Sequence, residues 1–137
     1  MEQITKVLIT LMLCCSATNK SVYTLLPSEE TPAVNGVATV SKDIYENVIV
    51  NLKVNKLFSP YQLEFGMTRY VVWIEPSGDY NPILIAQFKE NGDGEAELNF
   101  TTIHRVFDLM ITVEGLKEPL KPSRFIVLAG RVWAINL

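Results

Sequence analysis

From Gly36 onward apolar positions recur with a period of two, the spacing of strands that turn one face to a core and the other to water. Val48, Val50, Leu52 and Val54 share one face, and Asn47, Asn51 and Lys53 the other. Tyr70, Val72 and Ile74 alternate with Val71 and Trp73, so this run is apolar on both faces, as a central strand is. Ala96, Leu98 and Phe100 stand opposite Glu95, Glu97 and Asn99, and Leu109, Ile111 and Val113 opposite Met110, Thr112 and Glu114. Phe125, Val127 and Ala129 open a last run that continues through Val132 to Ile135. Ser77-Gly78-Asp79 and Asn91-Gly92-Asp93-Gly94 punctuate these runs with residues suited to positive φ and hairpin turns. The pattern predicts seven strands, at about 36–41, 45–55, 69–75, 83–89, 94–100, 108–114 and 124–135. No helical period of useful length interrupts them, apart from a single turn around 102–107. The expected fold is all-β: one immunoglobulin-like β-sandwich of about seven antiparallel strands over residues 36–137.

The upstream segment has a different texture. Residues 18–35 are polar and carry Pro27-Ser28-Glu29-Glu30-Thr31-Pro32, the composition of a tether, although Val22-Tyr23-Thr24-Leu25-Leu26 has the makeup of a short first strand. Before it, Lys6 precedes an apolar run, Val7 to Leu13, that stops at Cys14-Cys15-Ser16-Ala17. That order reads as a signal peptide over residues 1–17. The run is too short for a bilayer span, which needs about 20 apolar residues. Its end resembles a bacterial lipoprotein signal, with Cys15 as the lipid-attachment residue and Cys14 in the place of the usual small residue. Cleavage after Ala17 and free secretion, to the periplasm or beyond, is the alternative; an apolar N-terminal tail is another. Acyl chains on Cys15 would hold the chain stably to a membrane at the cell envelope.

Composition narrows the classes. The two cysteines are adjacent and sit in the leader, so the domain carries no disulfide and depends on a packed core. An apolar content of 48% in a chain of 137 residues suits one such domain. Net charge is −3, and removal of Glu2 and Lys6 together leaves it unchanged. This balance offers no footprint for nucleic acid.

Several runs together also resemble a known family. Gly36-Val37-Ala38-Thr39-Val40, Leu52-Lys53-Val54-Asn55-Lys56-Leu57, Tyr70-Val71-Val72-Trp73, Leu109-Met110-Ile111-Thr112-Val113-Glu114, and Pro122 ahead of Val127-Leu128-Ala129-Gly130 follow one another in a familiar order. Over residues 34–130 this resembles the C-terminal extracytoplasmic domain of anti-sigma-K-type factors. The resemblance implies an immunoglobulin-like sandwich that senses or contacts something at the envelope. Within these residues there is no counterpart of the family's cytoplasmic sigma-binding segment or transmembrane helix, so its sigma-holding activity is not carried over.

Candidate chemistry is sparse. His104 is the only histidine and lacks companions for a zinc site. A set of Ser77, His104 and Asp108 lacks a nucleophile-elbow pattern. Asn91, Asp93 and Glu95 resemble half a calcium loop, but Ala96 and Thr102 stand where its glycine and bidentate glutamate belong. Glu64, Glu75 and Glu114 read as solvated residues near strand ends. No catalytic residue, metal ligand or cofactor is expected. Trp73 reads as core; Trp133, Tyr80 and Tyr61 are the candidate partner-binding residues. If the strand bearing Trp133 lies at an edge, it has the means to add to another chain. The expected function is that of a non-catalytic envelope lipoprotein that senses or binds a protein partner. The alternative is a surface module for glycans or adhesion, with those aromatics gathered in one groove or platform.

Overall fold

The computed structural model describes residues 19–79, 81–89, 92–135 and 137. Among them eight strands follow in order: β1 (Ser21–Pro27), β2 (Asn35–Lys42), β3 (Val48–Asn55), β4 (Arg69–Pro76), β5 (Ile83–Phe88), β6 (Ala96–Thr102), β7 (Val106–Glu114) and β8 (Ile126–Trp133). A 3-10 turn, Pro60–Gln62, lies between β3 and β4. The expected signal peptide, Cys15 included, lies outside the described residues, and so does Tyr80.

The all-β expectation holds, but the two-sheet immunoglobulin-like sandwich does not. The strands form one antiparallel sheet, in the order β5-β4-β7-β8-β1-β2-β3-β6, curled nearly into a barrel. The physical reason is β1, which falls in the stretch whose composition suggests a tether. Ser21 to Leu25 pair with β2, from Ser21↔Val40 to Leu25↔Gly36. Leu26 and Pro27 then pair with Ala129 and Leu128 of β8. Part of the strand belongs to each side, so the hydrogen-bonded ladder runs on where a sandwich would break it.

Two glycines make room for this junction. Leu25 is buried, and a Cβ added to Gly130 would stand 2.7 Å from its Cδ2. A Cβ on Gly36 would stand 2.8 Å from Leu128 Cδ1 and 3.5 Å from Leu25 Cδ1. Glycine within a strand marks close approach of a neighbour, and here the Leu25 side chain approaches both. Register shifts between Val72 and Trp73, and between Ile111 and Thr112, interrupt the ladders. Such irregularities bend the strands that carry them and assist the curl.

The period-two faces meet inside. Val48, Val50, Leu52 and Val54 of β3 pack with Tyr70, Val72 and Ile74 of β4 and with Phe107, Leu109, Ile111 and Val113 of β7, all buried. Trp73 is buried on the other face of β4, apart from this cluster. Its Nε1–H donates to Thr112 Oγ1 (2.9 Å), whose hydroxyl donates to Glu114 Oε2 (2.5 Å), which also accepts the Ser123 N–H (2.9 Å). Glu114 is therefore a buried, hydrogen-bonded acceptor and not the solvated residue its isolation in sequence suggests.

Strand ends shift from expectation where turn chemistry intervenes. Asp43 Oδ1 accepts the N–H groups of Tyr45 and Asn47, both at 2.9 Å, and holds residues 43–47 in a turn, so β3 begins at Val48. The sheet thus has two ends. One gathers the start of β1, the β2–β3 and β6–β7 turns and the end of β8. The other gathers the longer β1–β2, β3–β4 and β7–β8 connections.

Candidate functional site

At the end of the long connections, the β3–β4 segment builds an apolar cleft of about 520 Å³ lined by Pro60, Tyr61, Phe65, Met67 and Lys89. Local hydrogen bonds shape it. Pro60 starts the 3-10 turn, where its missing N–H leaves nothing unsatisfied. Gln62 N–H donates to Ser59 O (2.9 Å), Leu63 N–H to Pro60 O (3.1 Å), and Met67 N–H to Glu64 O (3.2 Å). Gly66 closes the loop at φ 89°, a conformation that other side chains rarely adopt. Thr68 N–H donates to Glu114 O, which ties the segment to the end of β7.

An aromatic stack links chain neighbours of the lining residues. Tyr70 stacks on Phe88 with ring centroids 5.3 Å apart and meets Phe58 edge-on at 6.2 Å, while its hydroxyl donates to Phe58 O. Leu57 N–H reaches Gly94 O at 2.8 Å, which joins the β3–β4 and β5–β6 connections. Two of the lining side chains are exposed: Tyr61 is 64% and Phe65 94% accessible. Large apolar side chains this exposed on a fixed frame characterise contact surfaces.

A second, polar cleft of about 580 Å³ is lined by Leu63 and Glu64 of the same β3–β4 segment and by Glu29, Glu30, Arg124 and Phe125. Its wall is held by Thr31, buried, whose hydroxyl donates to Val127 O (3.0 Å) and lies 2.8 Å from Ser28 Oγ. Arg124 stands over the Phe125 ring at 4.8 Å. Three carboxylates against one guanidinium leave this cleft acidic.

The structure separates Tyr61 from Trp133. Trp133 pairs with Val106 at the start of β7, whereas the Tyr61 segment meets Glu114 at its end. Nine strand residues separate the two levels, roughly 25 Å. Tyr61 and Trp133 therefore share no groove or platform. Strand β8 runs between β7 and β1 in the order of the sheet, whose outermost strands are β5 and β6, and its ladder with β1 covers Leu128 and Ala129.

The remaining candidates find other partners. Asp108 accepts from Arg131 Nε (2.8 Å) and Nη2 (3.3 Å), and this pairing raises the Arg131 pKa, by the hydrogen bond first and the charge second. Ser77 and Asp108 line one small cleft of about 150 Å³, to which His104 does not contribute. Asp93 Oδ1 accepts the Glu95 N–H in a turn flanked by Gly92 and Gly94, both at positive φ. Among the described residues no group of three or more His, Cys, Asp or Glu side chains stands close enough to hold a metal.

Sequence reasoning singles out Tyr61 but passes over Phe65, Met67 and Lys89. The available signal is an apolar residue beside glycine in a loop, Phe65-Gly66-Met67, where burial cannot be assumed. No family model, curated protein or solved structure matches the chain.

Proposed function

We propose that this chain is a non-catalytic binding domain, exported to the cell envelope, held to a membrane by acyl chains on Cys15, and engaged with a protein partner through the Tyr61 end of the sheet. The observation that carries this reading is the apolar cleft of Pro60, Tyr61, Phe65 and Met67, open on a hydrogen-bonded frame, together with the acidic cleft of Glu29, Glu30 and Glu64 that the same β3–β4 segment helps to line. A protein segment with one or two large apolar side chains and neighbouring lysines or arginines complements both. Tyr61 and Phe65 are its aromatic anchors, the residue type that dominates protein interfaces. The carboxylates steer a basic segment toward the cleft and fix its direction. Asp108, paired with Arg131, is occupied as a salt-bridge partner, which favours a structural over a catalytic role.

A photoreactive side chain at Tyr61, activated in intact cells, tests the reading. The expected product is one envelope protein crosslinked through an apolar-basic segment, lost on Phe65→Ser and weakened by Glu64→Lys. Crosslinks spread over many proteins, or unchanged by Phe65→Ser, overturn it.

A further inference from the structure

The end of the sheet opposite the cleft carries apolar side chains that nothing in the described fold covers. Ile44 is 88% exposed, Tyr45 79%, Ile103 76% and Trp133 54%, and Val22 and Ile135 are exposed beside them. Contacts between their elements gather them at one place. Arg105 bonds Glu46 at 3.1 Å and joins the β6–β7 turn to the β2–β3 turn. Ala134 N–H donates to Arg105 O at 2.7 Å, and the Tyr23 hydroxyl donates to Trp133 O at 2.6 Å, which brings in the ends of β8 and β1.

This is also the end at which the chain enters the sheet, because β1 begins at Ser21 and pairs there with Val40. Since β1 takes up much of the expected tether, only Ser16 to Lys20 separate Cys15 from the first strand. Six residue steps, from 15 to 21, span at most about 20 Å. That is less than the length of β7, roughly 25 Å. An anchor at Cys15 therefore keeps the apolar end near the bilayer and holds the Tyr61 end away from it.

We infer that Ile44, Tyr45, Ile103 and Trp133 form a membrane-docking face that rests in the interfacial region of the bilayer. Tryptophan and tyrosine favour that layer, where an apolar ring and a polar tip are both satisfied. Charge at this end is close to balanced: Lys20, Lys42 and Arg105 stand with Asp43 and Glu46, and Arg105 and Glu46 pair at 3.1 Å. The attraction is apolar, and zwitterionic phosphatidylcholine suffices as the surface. Docking fixes the orientation of the domain, with the Tyr61 cleft turned outward to its partner. The inference rests on the lipid-anchor reading, and one preparation separates the two.

The full chain is purified from membranes, its intact mass reads the state of Cys15, and it is reconstituted or mixed with phosphatidylcholine vesicles brominated in the acyl chains. Trp133 is half-exposed, whereas Trp73 is buried within the domain, so the quenchable emission belongs to Trp133. The expected result is a blue shift and bromine quenching that disappear in Trp133→Phe and fall in the double variant Ile44→Ser with Ile103→Ser. Quenching is expected to be unchanged between low and high salt, because no charge attraction supports it. Acylated Cys15 with unquenched Trp133 overturns the docking face alone. Unmodified Cys15 with Trp133 quenched overturns the anchor and leaves the docking face standing; unmodified and unquenched overturns both. A blue shift without quenching signals a second copy of the chain on this face and also overturns it.

Discussion

Asp43 shows how a single carboxylate sets a strand boundary. Loss of solvent contact pushes its pKa up, but hydrogen bonds from the Asn47 backbone and side chain and from the Tyr45 N–H outweigh this and leave it below the ordinary value of 3.8. A depressed pKa means the folded state favours the ionised form. Its stabilisation is present above the unfolded-state value and lost as pH falls through the folded one. Asp43→Ala is expected to melt below the wild type at neutral pH, and the gap to close in acid below the carboxylate range; thermal unfolding at both conditions measures it. A gap that persists in acid would exclude the carboxylate as its source. Thr112 makes a different prediction. It is fully buried and links the Trp73 indole to Glu114, accepting from one and donating to the other. Thr112→Val keeps the shape and leaves the indole N–H without its acceptor, which costs about 1–3 kcal/mol, read from urea unfolding.

Among the strands, β1 decides the architecture. Its side chains differ in burial, with Leu25 inside and Leu26 outside on adjacent positions. Leu25→Ala removes the group that fills the space beside Gly36 and Gly130 and is expected to cost about 2–5 kcal/mol. Leu26→Ala, at a position 70% exposed, is expected to stay within about 0.5 kcal/mol of the wild type. Equal effects at the two positions in urea unfolding would contradict the burial of Leu25 at the junction. Strands such as β3 are legible in the sequence because Val48, Val50, Leu52 and Val54 alternate without interruption. In β1 the same alternation is short and lies among Lys20, Ser21, Pro27 and Ser28, so local composition favours a tether there.

For the domain entire, the consequence of β1 is a polarity along the strands. One end holds the start of β1 and bears Ile44, Tyr45, Ile103 and Trp133; the other bears Tyr61, Phe65 and the acidic cleft. Tyr61 and Trp133 are recognisable from sequence as aromatics able to stand at a surface, but not that β7 holds them at opposite levels. Phe65 and Met67 give almost no signal, because exposure in a loop depends on what packs over it. The strands, and the face most of them present inward, follow from the order of residues alone, since a period of two is a local property of the chain. That the sheet is single follows only from the folded chain. Leu26 and Pro27 pair with Ala129 and Leu128 across about a hundred intervening residues, and alternation fixes a strand's faces without naming its neighbour.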